Sequence, residues 1–392
     1  MDIERADYLL VGGGAAGAAA AEALRTLHPS GSVVLVSREA DPPYYRPACS
    51  KELLRGEVER PETYLHPLEA WEEMGVDLRL RCPVLDLHPQ TRTATLAGGR
   101  TLAFTKALIA TGANVRRLQV PGGHLEGIHY VRTPGNAEAI CRQAQGARRA
   151  VVIGGSFLGC EVAASLRQLG LDCSIIMPES AVLEAKLGAE VGERLQAILA
   201  EHDVRIYAGL TVAAFEGDSE RVASVLTSGD ERLEAELVVV AVGVLPDVML
   251  AKKAGLALGQ TGGVRANSRL ESSTAGIYVA GDACEFEGEA GRQRVEHWQA
   301  ARDQGVAAAR NMTGADEPYR DVPAFWSEFA DWSRLEFVGT AAHGARVVTR
   351  DVEGRAGAFA ASYGDDGNVT AVLTVNAPGL IEAERRRIGY VT

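Results

Sequence analysis

Apolar residues in this chain gather in short unbroken runs, and each run ends in glycine or in polar residues. Tyr8 to Val11 is the first run. It meets a glycine cluster and then an alanine-rich stretch, Ala15 to Leu27, so the order predicts strand, loop and helix. Val33 to Ser37 predicts a second strand ending near Glu39, which completes a βαβ half. The same order restarts at Val151 and ends near Glu179. The runs Lys106 to Gly112 and Leu237 to Gly243 each predict a buried strand closing in a tight turn, the first through Ala110-Thr111-Gly112 and the second at Gly243. Another apolar strand ends in Gly281-Asp282, which puts a carboxylate at the carboxyl end of a parallel strand, where ligands of such sheets bind. Later the period changes from continuous to alternating. Phe337 to Thr340, Arg346 to Arg350, Gly357 to Tyr363 and Val369 to Val375 read as antiparallel strands, and Gly379 to Ile388 as a closing helix.

The two βαβ halves share one loop pattern, Val11-Gly12-Gly13-Gly14-Ala15-Ala16-Gly17 and Ile153-Gly154-Gly155-Ser156-Phe157-Leu158-Gly159. A strand running straight into such a loop aims backbone amides and a helix N-terminus at a pyrophosphate, with no side chain in the way. Glu39 follows Gly17, and Glu179 follows Gly159, by about 20 residues, the distance at which a carboxylate meets a ribose. One chain with two such cradles is expected to hold two dinucleotides and to pass electrons between them. Glu179 would repel a 2′-phosphate, so the second ligand reads as NAD rather than NADP.

At 392 residues and 46% hydrophobic, the chain has room for two or three ordinary domains. The formal charge of −12 argues against nucleic-acid binding. No apolar stretch reaches the roughly 18 to 20 residues that span a bilayer, and the start lacks a signal peptide's basic-then-apolar order, so a cytoplasmic location is expected. The six cysteines, Cys49, Cys82, Cys141, Cys160, Cys173 and Cys284, form neither a C-x-x-C pair nor zinc spacing, so no disulfide framework and no metal site is expected.

Taken in order, the motifs resemble the FAD-dependent pyridine nucleotide-disulfide oxidoreductase superfamily. Within it they resemble the ferredoxin reductases of putidaredoxin reductase type and apoptosis-inducing factor. The segments that carry the resemblance are Pro43-Tyr44-Tyr45-Arg46-Pro47-Ala48-Cys49-Ser50-Lys51, Ala110-Thr111-Gly112, Ala280-Gly281-Asp282, Val295-Glu296-His297-Trp298 and Phe325-Trp326-Ser327. The fold implied is α/β: two Rossmann-like domains, for FAD and NAD, the second inserted in the first, plus a small C-terminal α+β domain. Boundaries fall at 1–113 and 236–322 for FAD, 114–235 for NAD and 323–392 for the appendage.

The resemblance implies that Gly12, Gly14, Ala15, Ala16, Gly17 and Arg46 hold the FAD pyrophosphate, that Asp282 accepts from the ribityl chain, and that Glu39 takes the adenosine ribose. Lys51 would sit near flavin N5 with Glu161 as its partner, because a cation stabilises reduced flavin and a carboxylate limits the cost of burying it. Trp298 would flank the ring beside Glu296 and His297. Gly154, Gly155, Ser156, Phe157, Leu158 and Gly159, with Glu179, would hold NADH. Plain readings stand beside these: an exposed lysine, a core tryptophan, and a Trp326 that only packs the appendage.

Three departures matter. Arg38 precedes Glu39 where relatives carry an acid, Ser156 puts a Cβ and hydroxyl where glycine admits the pyrophosphate, and Cys49 replaces leucine. The activity implied is transfer of a hydride from NADH to FAD and then of single electrons to a ferredoxin or rubredoxin. Arg302, Arg310, Arg385, Arg386 and Arg387 are candidate docking charges, although a solvated helix end is the simpler reading of such a run. A thiol-dependent NADH oxidase, peroxidase or coenzyme A disulfide reductase working through Cys49 is one alternative. A redox-sensing protein like apoptosis-inducing factor is another. A monomer or weak dimer is expected.

Overall fold

A computed structural model describes residues 3–218, 220–288, 291–320, 323–341, 344–355, 357–365 and 368–388, the side chain of Arg387 apart. The chain forms two compact units, Met1–Arg46 with Pro61–Asn114 and Val244–Asp321, and Pro47–Arg60 with Val115–Gly243 and Val322–Thr392. The boundary expected at 322 falls on residues outside the described ones.

The first unit is built on a sheet whose parallel part runs Val76–Arg79, Val33–Val36, Glu4–Val11, Thr101–Ile109, with Ile277–Val279 on the far side of the last. The strand Thr101–Ile109 is long enough to serve two partners. Its first residues pair antiparallel with Thr93–Leu96, which in turn pairs with Val84–His88, two strands not expected from the sequence. Leu9, Leu10, Leu35, Leu108 and Ile109 are fully buried, as strands covered on both faces require. Burying each such side chain contributes about 1.5–3 kcal/mol. The helix Ala15–Leu27 buries Ala16, Ala18, Ala19, Ala20 and Ala21, and these small side chains let the helix Trp298–Met312 pack closely against it.

The second unit repeats the plan. Its parallel sheet runs Arg205–Tyr207, Asp172–Ile176, Arg149–Ile153, Leu237–Val240, Ile128–Tyr130. In both units the opening strand lies between the strand that follows its helix and a later returning strand. Val11 is in register with Val36 and Ile109, and Ile153 with Ile176 and Val240. The connection direction reverses at the opening strand, and the crevice this leaves beyond the strand ends is where doubly wound sheets bind ligands.

The same unit holds a three-stranded antiparallel sheet, Val212–Asp218, Arg221–Thr227 and Arg232–Glu234, and the C-terminal sheet. The latter runs Ala324–Phe329, Ser333–Gly339, Asn368–Val375, Phe359–Asp365, Val347–Asp351, with the helix Leu380–Arg387 after it. The strand Ala324–Phe329 is not among the elements the periodicity predicts. The sequence Ala-Phe-Trp-Ser-Glu-Phe places a serine on the inward side, so apolar–polar alternation breaks there. Ser333–Gly339 also begins earlier than the expected strand at Phe337.

Candidate active site

The two glycine loops have the same construction. Gly12 takes φ +119° and Gly154 φ +109°, a backbone region that side chains rarely adopt. Their amides donate to Val36 O and Ile176 O, both at 2.8 Å. A Cβ on Gly12 would lie 2.1 Å from Ala110 O, and one on Gly154 would lie 2.6 Å from Ala241 O. At the last motif position a Cβ on Gly17 would come within 1.9 Å of Gly12 O, and on Gly159 within 2.0 Å of Gly154 O. In each loop the helix is thereby drawn tight against the strand.

The loops differ at Gly14 and Ser156. A Cβ on Gly14 would meet nothing within 4 Å, so the first helix opens onto unfilled space. Ser156 carries a side chain at that position. Its hydroxyl accepts from Gly159 N at 3.3 Å as the N-cap of Phe157–Gln168 and donates to Ala241 O at 3.2 Å. The hydroxyl expected to crowd a pyrophosphate is bonded inside its own motif. Only its Cβ remains at the mouth of the cradle.

Thr111 donates to Asp247 O at 2.6 Å, Gly112 and Gly243 both turn at positive φ, and Gly281 N donates to Gln304 Oε1 at 2.8 Å. Glu39 and Arg46, both assigned to FAD, meet at 3.0 Å, and the Glu39 carboxylate also accepts from Tyr44 at 2.7 Å. The Arg46 guanidinium lies 4.7 Å from the centre of the Tyr44 ring. Arg38 instead donates to Asp247 and Asn114, each at 2.7 Å. Glu179 is half-buried just past the strand Asp172–Ile176.

Asp282 lies in the turn Gly281–Ala283, and its carbonyl accepts from Arg294 at 3.1 Å. Arg294 also bonds Glu296 at 2.5 Å, yet its Nε is buried without a hydrogen-bond partner among the described residues. Trp298 opens its helix, with His297 as N-cap, and its Nε1 is likewise buried and unpartnered. Tyr45 meets the indole edge-on at 5.2 Å, and the Arg302 guanidinium lies 5.1 Å from the ring centre. Three buried donors of this unit lack a partner among the described residues, Arg294 Nε, Trp298 Nε1 and Trp71 Nε1, and the first two, which belong to the segment around the Val295–Trp298 motif, suit a ligand that supplies acceptors. This arrangement fits FAD. Arg294 was not singled out in the sequence, because an isolated arginine before a helix looks like any surface cation.

In the second unit Lys51 and Glu161 form an ion pair at 2.9 Å, with 7% and 10% of their side chains exposed. Ser50 donates to Glu161 Oε2 at 2.6 Å, and Ser327 to Oε1 at 2.7 Å. Trp326 presents its ring to Lys51 Nζ at 5.4 Å. Three donors satisfy the carboxylate, which is what a buried charge requires. The serines carried no sequence signal beyond their neighbours in the motifs.

Cys49 is buried, at 2% exposure, in the turn Arg46–Ser50. Burial pushes the Cys173 thiol up to about 12 and that of Cys160 further, the latter helped by the neighbouring Glu161 charge. Three of the candidate docking arginines face acids: Arg302 faces Glu22 at 3.3 Å, Arg310 faces Glu317 at 3.6 Å and Arg385 faces Glu382 at 4.0 Å, while Arg386 is exposed. The side chain of Arg387 lies outside the described residues. No helix among the described residues is long and apolar enough to cross a membrane.

Two pyrophosphate-type cradles on two doubly wound sheets, with a buried ammonium–carboxylate pair, define a two-nucleotide oxidoreductase. The chain belongs to the pyridine nucleotide-disulphide oxidoreductase family, whose model matches residues 6–305, and residues 324–390 match the reductase C-terminal domain. It is a flavoprotein reductase that binds FAD and draws on a pyridine nucleotide. It is 33% identical to the ferredoxin reductase component of chlorobenzene dioxygenase from Cupriavidus sp. (strain PS12), over 94% of this chain and 89% of that one. The crystal structure of the ferredoxin reductase for the CYP199A2 system from Rhodopseudomonas palustris superposes with a TM-score of 0.92 at 29% identity, covering 97% of this chain and 93% of that one. The reductase in the covalent putidaredoxin reductase–putidaredoxin complex gives 0.91 at 29% identity, covering 98% and 93%.

Proposed function

We propose that this reductase takes electrons from NADH and delivers them, through FAD, to a small one-electron carrier of the ferredoxin or rubredoxin class. The observation that carries this reading is the pairing of two matched nucleotide cradles with a single cysteine, Cys49, near the flavin-type motifs. A dithiol relay needs a second cysteine beside the first, and none is there. Relatives of nearly full length are named as ferredoxin reductase components, and one is known covalently joined to its putidaredoxin.

When bound in the Gly12–Gly17 cradle, FAD would supply the two-electron to one-electron conversion, in which a hydride taken up leaves as two separate electrons and one proton returned to solvent. The chain's own residues bind and tune. The Gly12–Gly17 loop and Arg46 hold the FAD pyrophosphate, Asp282 and Glu39 its ribityl and ribose hydroxyls, and Trp298, Glu296 and His297 the ring's surroundings. The Gly154–Gly159 loop holds NADH, with Glu179 on the ribose hydroxyls. Lys51 supplies the cation that balances the charge of reduced flavin, and Glu161 keeps that cation in place. The domains follow these ligands: 1–113 and 236–322 for FAD, 114–235 for NAD and 323–392 as appendage. The protein works in the cytoplasm as a monomer or weak dimer.

Anaerobic reduction by NADH and, separately, by NADPH, followed by a panel of ferredoxins and rubredoxins, tests the reading. Fast bleaching of a yellow protein by NADH and onward transfer to a carrier is the expected result. A protein that stays colourless after reconstitution with FAD, or reduces no carrier, overturns it.

A further inference from the structure

We infer that Ser327, on the C-terminal strand Ala324–Phe329, is a positioning residue for the Lys51–Glu161 pair. This rests on the role proposed above for that pair. The inward positions of this strand alternate, and Ser327 occupies one of them at 1% exposure, where packing alone calls for an apolar residue. Its hydroxyl donates to the same Glu161 oxygen that Lys51 holds. Ser50 takes the other oxygen, and the Ser50 backbone is itself fixed, since its carbonyl accepts from Ser165 at 2.7 Å.

The strand grips the helix at a second point. Phe325, two residues before Ser327 and on the same strand face, packs edge-on against Phe157 at 5.0 Å, four residues before Glu161 on the helix Phe157–Gln168. Phe325 is in turn stacked on Phe337 at 4.8 Å within the C-terminal sheet. One short strand thus pins both the nucleotide loop and the carboxylate that holds Lys51. The C-terminal domain, far away in sequence, sets where that positive charge stands.

The test is stopped-flow reduction of the FAD-loaded protein by NADH, in Ser327→Ala, Ser327→Thr, Glu161→Gln and the double variant Ser327→Ala/Glu161→Gln. A donor to a buried carboxylate is strong enough that its loss should slow the limiting NADH reduction rate by about tenfold, with NAD⁺ affinity and reduction by dithionite unchanged. Ser327→Thr keeps the hydroxyl and should restore the rate. In the Glu161→Gln background the further loss from Ser327→Ala should shrink to about twofold or less, as expected of a residue acting through its partner. Melting of the flavin-free chain should show the same pattern, a drop for Ser327→Ala that is smaller beside Glu161→Gln. A Ser327→Ala protein that NADH reduces at the normal rate, or an equal loss in both backgrounds, overturns the inference and leaves the pair's role standing. A normal rate in Glu161→Gln overturns both.

Discussion

The carbonyl oxygen of Gly154 lies 2.0 Å from where a Cβ on Gly159 would stand. No side chain fits there without moving backbone, because that carbonyl belongs to the turn that points the loop amides outward. Overpacking of this kind costs about 1–3 kcal/mol and, here, displaces the cradle itself. Gly159→Ala should therefore leave the protein yellow and reducible by dithionite, but with NADH reduction nearly lost. Gly17→Ala, where the approach is 1.9 Å, should instead impair FAD loading, read as the ratio of visible to ultraviolet absorbance. If both variants lose flavin equally, the division of labour between the loops is wrong.

Ser156 supports two opposite expectations, as a helix cap and as an obstruction. Replacing an N-cap serine by alanine costs about 1 kcal/mol and by glycine only a few tenths. Ser156→Ala should lower the melting temperature without improving NADH affinity, since the Cβ stays. Ser156→Gly should keep stability and tighten NADH binding, measured by titration of the oxidised protein with NAD⁺. Unchanged affinity in Ser156→Gly would show that the Cβ obstructs nothing.

Cys49 packs at 2% exposure in the turn Arg46–Ser50. Cys49→Ser should leave NADH-to-carrier turnover within about twofold and cost about 1 kcal/mol of stability, as a buried thiol behaves like a small hydrophobe. Peroxide and coenzyme A disulfide should be poor acceptors before and after the change. A collapse of turnover in Cys49→Ser would revive the thiol mechanism.

Arg60 holds Glu138 through Nε at 2.7 Å and through a second guanidinium contact, tying the Pro47–Arg60 segment to the helix Pro134–Ala144. The Arg60 hydrogen bonds keep the Glu138 carboxyl below its ordinary value of 4.5. A depressed folded value means the pair stabilises the fold above that pH and stops doing so as pH falls through the folded value. Arg60→Met should thus be less stable than the parent at pH 7, and the gap should close as the buffer is taken below pH 4.5 in a denaturant series. A gap independent of pH would mean that the arginine acts through packing alone.

Much of this molecule was readable from residues adjacent in the chain. A glycine that must take positive φ, a neighbour that must admit a carbonyl and an alanine helix that must pack closely are local demands, so both cradles and the doubly wound plan showed in the motifs. The alternating C-terminal strands showed as well, except Ala324–Phe329, whose inward serine hid it. That serine marks the limit of a linear reading. Ser50, Lys51, Glu161 and Ser327 come from three stretches of chain, and neither a serine hydroxyl nor a single charge has a period or spacing that announces its partner. Resemblance suggested the Lys51–Glu161 pair, but only folding brought in the two hydroxyls, because a buried carboxylate must find donors wherever the packed backbone supplies them. The same holds for Arg46 with Glu39 and Arg38 with Asp247. Local sterics wrote the loops into the sequence, whereas the charges were partnered by tertiary packing, which alone decides which groups lose water together.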